Sequence, residues 1–330
     1  MNFREVLIIC LWLFTVIVYS QEKGNNPSAW QLISAADASE PIARHEAAFV
    51  AVDDHFYLLG GRGIKPTSIY NTQKNVWTQG APPPIEMHHF QPVVFQSKIY
   101  VIGAMTGGYP SETPIPFVYI YDPEEDVWVK GAAIPENRQR GATGNVLYDG
   151  HIYVSCGIKN GHIGDHKKWL DRYNPVTNTW EVLADAPRAR DHFQAAVVNG
   201  KIYATAGRLS KAPKNTFNET IAEVDVYDIK TDRWETLSTT IPTPRAGNTA
   251  ITVKDEVYVL GGESASQKSA HTEVEVLNTK THSWKSLPQM TSGRHGTSVI
   301  LYQKQLYIAS GCGNRGGNPE LTSMERYKID

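Results

Sequence analysis

Two identical tripeptides each begin with a histidine that is a candidate for acid–base chemistry. They are His89-Phe90-Gln91 and His192-Phe193-Gln194, and His88 and Asp191 stand directly before them. Histidine gains and loses a proton near neutral pH, which suits it to general acid–base catalysis. We therefore predict His89 and His192, together with the carboxylate of Glu263, as candidate catalytic residues.

A second set of charged and aromatic residues is predicted to bind a ligand beside these histidines. Guanidinium groups bind carboxylate or sulfate in a bidentate fashion, and an aromatic ring suits the apolar face of a sugar. The predicted ligand-binding residues are Arg62, His88, Trp169, Arg190, Asp191, Arg208, Arg294 and His295. A face that is rich in arginine favours an acidic sugar.

The loop that contains His162, Asp165 and His166 has ligand types and a spacing that are able to hold a metal ion. A solvated loop is the interpretation we favour, because Gly164 interrupts the group and no further ligand is evident. Cysteine pairs of the C-x-x-C type, phosphate-binding glycine loops and His-Glu-x-x-His motifs are absent from the sequence. We predict no metal site and no cofactor.

These residues are embedded in a sequence pattern that recurs about every 50 residues. The second strand of each unit is predicted to carry a tyrosine: Tyr57, Tyr100, Tyr153, Tyr203, Tyr258 and Tyr307. A pair of small residues, usually including glycine, follows each of them. The third strands carry Tyr70, Tyr121, Tyr173, Tyr227, Leu277 and Tyr327. Seven residues after the first five of these stand Trp77, Trp128, Trp180, Trp234 and Trp284. Each unit is therefore predicted to form four short antiparallel strands.

The glycine pair with its spaced tyrosine and tryptophan resembles the Kelch repeat of β-propellers. The resemblance covers residues 28–330 in six copies and implies an all-β fold, a six-bladed Kelch β-propeller. The implied blades are residues 44–80, 87–132, 140–184, 190–238, 245–288 and 294–330. The chain ends at Asp330, before a tryptophan strand could follow Tyr327. We therefore predict that residues 28–34, around Trp30, supply the outer strand of the sixth blade and close the ring.

The resemblance also offers a structural explanation for most of the arginines. Counting back 13 residues from each second-strand tyrosine gives Arg44, Met87, Arg140, Arg190, Arg245 and Arg294. An arginine at this position belongs to the general Kelch pattern, in which it braces the ring against the backbone of a neighbouring blade. Ligand binding and bracing are therefore alternatives for Arg190 and Arg294.

Residues 1–20 form a predicted secretory signal peptide, and residues 21–330 form the propeller. The stretch from Val6 to Tyr19 is apolar, and Ser20 suits cleavage before Gln21. The alternative is a membrane anchor, but about 20 apolar residues are needed to span a bilayer. We predict a secreted or periplasmic protein with no membrane insertion after cleavage.

Charge and cysteine content narrow the functional classes further. The formal net charge is −2, which disfavours binding to nucleic acid or to membrane surfaces. Cys156 and Cys312 fall in repeats 3 and 6, which lie opposite each other in a six-bladed ring. Because a disulfide needs Cα atoms within about 7 Å, we expect two free thiols.

Three classes of function fit this chain. The first is an exported propeller that recognises carbohydrate, above all acidic sugars or oligosaccharides in polysaccharide degradation, with an envelope protein as a further partner. The second is a sugar-acid mutarotase or epimerase on the same face, as in the exported sialic-acid mutarotases that the repeat pattern resembles. The third is a protein–protein interaction module, as in intracellular Kelch adaptors.

Copper oxidase chemistry is a further possibility, because galactose oxidase is similar in its repeat type. Its copper site needs two tyrosines, two histidines and a thioether-linked cysteine. No Tyr-His pair occurs in the sequence, and neither Cys156 nor Cys312 has an evident tyrosine partner. The resemblance therefore does not extend to copper chemistry.

Overall fold

The computed structural model describes residues 29–329, which are built almost entirely of antiparallel β-strands. Six four-stranded sheets are arranged as the six blades of a propeller, which confirms the predicted fold. One 3-10 turn, Glu136–Arg138, is the only helix in the described range. No helix within residues 29–329 is long and apolar enough to cross a membrane. The predicted signal peptide, residues 1–20, lies outside the described residues and stays a prediction.

Each blade runs from an inner strand at the central channel to an outer strand at the rim. Blade 1 comprises Ala47–Val52, His55–Gly60, Thr67–Asn71 and Val76–Gly80. Blade 2 comprises Val93–Phe95, Lys98–Val101, Phe117–Asp122 and Val127–Ala133. Blade 3 comprises Gly144–Tyr148, His151–Ser155, Leu170–Asn174 and Thr179–Leu183.

The second half of the chain repeats this order. Blade 4 comprises Ala195–Val198, Lys201–Ala204, Glu223–Asp228 and Arg233–Thr240. Blade 5 comprises Thr249–Val253, Glu256–Leu260, Val274–Asn278 and Trp284–Leu287. Blade 6 comprises Val299–Tyr302, Gln305–Ala309, Met324–Lys328 and, at its rim, Gln31–Ile33.

Two small hairpins enlarge one end of the propeller. We call this end, where the first strand of each blade begins and the second strand ends, the upper face. In blade 2 the loop between the second and third strands pairs Met105–Thr106 with Thr113–Pro114. In blade 3 the equivalent loop pairs Ile158–Asn160 with Gly164–His166. These hairpins bring additional side chains towards the channel.

In blades 1 to 4 the tyrosine and tryptophan of the repeat pack against each other within the blade. Tyr227 pairs with Trp234 across the third and fourth strands, and their ring centroids lie 5.2 Å apart. The indole N–H of Trp234 donates to the carbonyl of Ala184 at the end of the previous blade, at 2.8 Å. The ring pair therefore fills the outer half of the blade, and the indole N–H ties that blade to its neighbour.

Trp30 takes this same role in the sixth blade. Gln31–Ile33 pairs with Met324–Lys328, and the Trp30 ring stacks on Tyr327 with centroids 5.4 Å apart. The Trp30 indole N–H donates to the Pro288 carbonyl at 3.0 Å. The predicted closure of the ring by an N-terminal strand is therefore confirmed.

Five buried arginines brace the blades from within. In each case the guanidinium group donates to backbone carbonyls at the end of the second strand or the start of the third. The five are Arg44, Arg140, Arg190, Arg245 and Arg294. Four of them also meet a buried carboxylate on the third strand: Asp171, Asp225, Glu275 and Glu325. The partners lie in the arginine's own blade, so the expectation that it binds a neighbouring blade was wrong.

Both cysteines of the described range are buried and free, as expected. Burial raises the pKa of the Cys156 thiol to about 11, although the guanidinium groups of Arg190 and Arg140 favour the thiolate. A buried thiol with a raised pKa is a poor nucleophile. Cys156 is therefore part of the core.

Substituting Trp30 should open the ring. Trp30→Ala removes a side chain that is 6% exposed, together with its hydrogen bond to blade 5. We expect a loss of about 3–5 kcal/mol in the free energy of unfolding, as for other large core truncations. Urea titration followed by far-UV circular dichroism measures this loss. Leu32→Ala is the matched control, because Leu32 lies in the same strand but is 58% exposed. Equal stability of the two variants would contradict closure by this strand.

Candidate functional site

A closed ring of backbone hydrogen bonds lies at the upper end of the channel. Six residues, one before the first strand of each blade, form it: Glu46, His89, Ala142, His192, Gly247 and Gly296. From His89 onwards each amide N–H donates to the carbonyl of the preceding member over distances of 2.6–3.2 Å, and the Ala47 N–H closes the circle on the Gly296 carbonyl. The ring fixes these six positions relative to one another across all blades.

All six ring residues adopt left-handed backbone conformations. The φ angles of Glu46, His89 and His192 are 54°, 56° and 53°. Non-glycine residues rarely adopt such angles, and they are concentrated at functional sites. The conformation turns the three side chains towards one another above the channel instead of into a blade. The ring of backbone hydrogen bonds, and not the packing of the strands, therefore brings the side chains of Glu46, His89 and His192 together.

A pocket of about 670 Å³ opens above the ring at the upper face. Most of the residues that line it are polar or charged, and two aromatic side chains, Tyr109 and Phe217, join them. The lining residues are His45, Glu46, Arg62, Glu86, His89, Gly107, Gly108, Tyr109, His162, Arg208, Thr216, Phe217, Glu263, Gly316, Gly317 and Asn318. A pocket of this size is typical of small-molecule sites.

Three buried histidines from three blades meet at the base of this pocket, where His89 and His162 line it and His192 lies directly behind them. His89 and His192 come from the ring, and His162 comes from the blade 3 hairpin. The ring centroids of His162 and His192 lie 4.5 Å apart, and those of His89 and His192 lie 4.7 Å apart. One imidazole nitrogen from each lies within 4.8 Å of the other two. We call His89, His162 and His192 the histidine cluster.

Carboxylates hold two members of the histidine cluster from outside. The Nδ1 atom of His192 contacts Asp191, and Nδ1 of His162 lies 3.0 Å from the Glu112 carboxylate. Burial would raise the pKa of Asp191, but His192, His166 and Arg208 hold it well below its usual value. Burial, and then the charge of Arg208, lower the pKa of His192 to about 4. Asp191 is therefore ionised beside neutral His192. Burial would also raise the pKa of the Glu112 carboxyl, but His162 and Arg62 hold it far below its usual value.

His89 is held by its neighbour in the sequence. Its Nδ1 atom lies 2.6 Å from Nδ1 of His88, and its Nε2 atom lies 3.3 Å from the Glu46 carboxylate. Burial and then Arg62 lower the pKa of His88 to about 4, and burial together with His88 lowers that of His89. Both imidazoles are therefore neutral near pH 7.

A second polar cluster lies across the pocket floor and has a different charge state. His295 lies 3.4 Å from Glu263 and 3.7 Å from Glu46, and its Nε2 atom contacts the carbonyls of Asn314 and Gly316. Burial alone would lower the pKa of His295, but Glu263, Cys312 and Glu46 together raise it to about 10. His295 is therefore an imidazolium ion near pH 7.

The two arginines that reach the pocket are each paired with a carboxylate. Arg208 of blade 4 donates to Glu263 of blade 5 at 2.5 Å, and Arg62 of blade 1 donates to Glu112 of blade 2 at 2.5 Å. These ion pairs cross between blades at the pocket wall. They leave no guanidinium group unpaired for an anionic ligand.

Two of the predicted ligand-binding arginines lie elsewhere. Arg190 and Arg294 are fully buried in their blades, bonded to Asp225 and Glu325, and neither lines the pocket. Their predicted ligand-binding role is corrected to bracing, because their donors are already committed to the blade interior. Asp191 also lies behind the pocket lining, where it orients His192.

Trp169 and the blade 3 loop are also placed differently from expectation. The Trp169 ring stacks beside Arg138, at 4.3 Å, and does not line the pocket. His162, Asp165 and His166 do not converge: Asp165 pairs with Lys167, whereas His166 lies 3.1 Å from Asp191. Only His162 of this loop reaches the pocket floor.

The structure therefore places Arg62, His89, Arg208 and Glu263 in the lining of one pocket. His192 lies behind the lining against His89, His295 lies behind it against Glu263, and His88 lies behind His89. His162 was expected to lie in a solvated loop, and Glu112 was not among the predicted site residues. Gly161 precedes His162, and a Cβ atom there would lie 2.2 Å from the Pro110 carbonyl oxygen. Glycine permits such a close approach of two backbone segments.

The fold and the polar channel mouth define a Kelch-type β-propeller, a module that typically mediates protein–protein interactions. The family model of the Attractin/LZTR1 beta-propeller matches residues 15–270. The chain therefore belongs to the Attractin/LZTR1 beta-propeller family.

Individual relatives agree with this assignment. Kelch-like protein terF of Aspergillus terreus is 27% identical over 286 residues, which is 81% of this chain and 61% of that protein. Human Kelch-like protein 23 is 24% identical over 280 residues, 83% of this chain and 46% of that protein. The chain thus spans less than two thirds of the length of these relatives. The solved structure of YjhT is 17% identical with a TM-score of 0.71, covers 86% of this chain and 95% of its own, and supports the fold.

The bracing role of Arg190 predicts a loss of stability when it is substituted. Arg190→Ala leaves Asp225 buried with an incomplete set of partners, so the free energy of unfolding should fall by about 3–5 kcal/mol. Arg188→Ala is the matched control, since Arg188 contacts the same carboxylate but is partly exposed. Thermal and urea unfolding measure both. A smaller loss for Arg190→Ala than for Arg188→Ala would contradict bracing.

The raised pKa of His295 predicts a pH-dependent stability. The folded protein keeps the proton up to about pH 10, whereas the unfolded chain releases it near 6.5. The stabilisation is therefore complete below about pH 6.5 and disappears as the pH rises towards 10. Urea titrations of wild type and His295→Gln should show a stability difference that shrinks over this interval. A difference that is constant or grows with pH would show that His295 is not protonated.

Proposed function

We propose that the pocket at the upper face binds carbohydrate. The observation that supports this most is the combination of a polar floor with two aromatic rings at the rim, Tyr109 and Phe217. The Tyr109 hydroxyl lies 3.1 Å from Thr216 Oγ1, and the Tyr109 ring packs against His162. Phe217 covers Arg208, whose guanidinium carbon lies 5.1 Å from the ring centroid. Aromatic faces and fixed polar groups together match the apolar and hydroxyl surfaces of a sugar.

The charge of the lining favours a neutral sugar over the acidic sugar expected from the sequence. Arg208 and Arg62 are compensated by Glu263 and Glu112. Glu46 and Glu86 add further carboxylates to the wall. An arginine and carboxylate pair presents donors and acceptors side by side, which suits the hydroxyl groups of a sugar ring.

A protein partner on the same face is the second candidate. Ile64, Tyr109 and Ile163 are 58%, 52% and 40% exposed. They lie in the loops that join the second and third strands of blades 1, 2 and 3, so they share the upper face. Exposed apolar side chains that are grouped in this way favour protein contacts, which agrees with the usual role of Kelch-type propellers.

Substitution of Tyr109 tests whether the pocket binds carbohydrate. Tyr109→Ala should weaken binding of a neutral oligosaccharide by about tenfold, since a lost ring contact of about 1.4 kcal/mol corresponds to that factor. Calorimetry against a panel of neutral and acidic mono- and oligosaccharides measures the affinity. The matched control is Tyr148→Ala, because Tyr148 is partly exposed but lies at the turn between the first two strands of blade 3.

The outcomes distinguish the two candidates. No binding by any member of the panel, or equal affinities for wild type and Tyr109→Ala, would contradict the carbohydrate proposal. The double variant Ile64→Ser and Ile163→Ser tests the protein alternative, because neither residue lines the pocket. It should preserve sugar affinity and abolish binding of a protein partner.

A further inference from the structure

The hydrogen-bond partners of His162 and His192 fix where their protons lie. An ionised carboxylate only accepts hydrogen bonds, and a neutral imidazole has one N–H group. Nδ1 of His162 faces Glu112, and Nδ1 of His192 faces Asp191, so both Nδ1 atoms carry the proton. Both Nε2 atoms then expose lone pairs. They point at each other over 2.9 Å, so the two nitrogens that do not serve the carboxylates meet here.

The contacts of His88 likewise indicate which nitrogen of His89 carries the proton. The Nε2 atom of His88 lies 3.1 Å from the Gly107 carbonyl, which only accepts, and 3.4 Å from Arg62. The shorter contact places the His88 proton on Nε2, and its Nδ1 atom accepts from Nδ1–H of His89. Nε2 of His89 is then unprotonated as well. It lies 3.3 Å from the Glu46 carboxylate, where two electron-rich atoms face each other.

Three imidazole nitrogens, one from each histidine, therefore meet in one buried place within 4.8 Å of one another. A proton shared between His162 and His192 satisfies only two of them and leaves His89 against Glu46. A metal ion bonded to nitrogen at about 2.0–2.1 Å would satisfy all three nitrogens once they, now within 4.8 Å of one another, draw closer around it. Nitrogens of a tetrahedral site lie about 3.3 Å apart, and the Nε2 atoms of His162 and His192 are already 2.9 Å apart.

We propose that His89, His162 and His192 form a binding site for a divalent transition-metal ion. Neutral imidazole suits zinc, copper, iron and nickel. Three histidine ligands leave a fourth position open, and the pocket lies directly above the histidine cluster. A water molecule or a ligand hydroxyl can occupy that position. The metal site stands independently of whether the pocket binds carbohydrate.

The surroundings of the histidine cluster have the features of an outer coordination shell. Metal-binding histidines commonly donate their second N–H group to a carboxylate, which fixes the tautomer and the ring orientation. Glu112 and Asp191 do this for His162 and His192. Asp191 is itself fixed, since it accepts from the Ser210 amide at 3.0 Å and from the Ser210 hydroxyl at 2.7 Å. These ionised acids also offset the charge of a bound cation.

The backbone of His162 is fixed as firmly as its side chain. The His162 N–H donates to the Pro110 carbonyl of blade 2 at 2.9 Å. Its carbonyl accepts from the Ala212 N–H of blade 4 at 2.7 Å. The loop residue is therefore anchored on both sides of blade 3, which pre-organises the third ligand.

The neighbouring cluster of Glu46, Glu263 and His295 also groups three ligand types. There, however, Nε2 of His295 faces two carbonyls and carries a proton, so its lone pair is not available. The two carboxylates already balance the His295 and Arg208 charges. The histidine cluster is therefore the site to which we assign the metal.

The test uses the full chain, treated with a chelator, dialysed and titrated with Zn²⁺. Calorimetry and elemental analysis should give one tightly bound ion per chain, and Zn²⁺ should raise the melting temperature because it binds the folded state. Substitution with Co²⁺ should give the visible absorption of a four- or five-coordinate ion.

Two kinds of variant test the ligands. His162→Ala should abolish binding of the tight ion. Glu112→Gln keeps an acceptor for His162 but removes the charge, and should weaken Zn²⁺ binding by about 10–100-fold. The matched control is His282→Ala, since His282 is exposed in a turn of blade 5 and should leave binding unchanged. Circular dichroism confirms that each variant is folded.

Three outcomes would overturn the proposal. One is a stoichiometry of wild type far below one ion per chain. Another is equal Zn²⁺ affinity of wild type, folded Glu112→Gln and His282→Ala, which would indicate adventitious binding at surface histidines. The third is a Co²⁺ spectrum of an octahedral aqua-like ion in wild type, which would show that three imidazoles do not bind it.

Discussion

The ring of six backbone hydrogen bonds at the channel mouth is the constraint on which the site depends. It passes from Glu46 through His89 and His192 and returns to Ala47, and it uses one residue before the first strand of each blade. Each blade contributes one donor and one acceptor, so no blade can shift without breaking two bonds. The left-handed conformations that the ring imposes aim its side chains at a common centre. The propeller therefore builds its polar site from backbone geometry before any side chain interacts.

The buried charges divide into two populations with different roles. The bracing arginines lie inside the blades and join the second and third strands, as Arg245 does with Glu275. Arg62 and Arg208 lie one layer closer to the pocket and pair with acids of the next blade. Breaking a pair of the first kind affects one blade, whereas breaking a pair of the second kind affects the wall between two blades. Carboxylate partners in both populations keep guanidinium groups from solvent and from ligands.

The fold could be predicted from the sequence because the residues that define the repeat pack against near neighbours in the chain. Tyrosine, tryptophan and the glycine pair each serve the same contact in successive blades, so their spacing alone predicted six blades and the role of Trp30. The assignment of Arg190 and Arg294 failed for a reason that the sequence does contain. An acid stands two residues before the third-strand aromatic or leucine in blades 3 to 6, as Asp225 does before Tyr227. Blade 2 has Met87 for its arginine, and Tyr119 stands where the acid would be.

The polar centre was predictable only in part. His89 and His192 stood out because they depart from the repeat at equivalent positions of two blades. His162 comes from a hairpin of blade 3 alone, so no register predicts where it lies. Its position follows from contacts with blades 2 and 4 that are distant in the sequence, including the close approach at Gly161. Trp169, in the same segment, turned towards Arg138 instead, which no local pattern distinguishes.

Closure by the strand at Gln31–Ile33 has a consequence for how the chain folds. Its partner strand lies almost 300 residues later, as the contact of Gln31 with Arg326 over a separation of 295 residues shows. During synthesis from the N-terminus, the first strand of the propeller to appear is the last to find its place. Contacts of such long sequence separation form slowly, and unpaired strand edges are exposed until they do. Blades 1 to 5 each form from contiguous sequence. We therefore expect the pairing of the N-terminal strand with the C-terminal strand in blade 6 to limit the rate of folding and to be the place where the propeller opens.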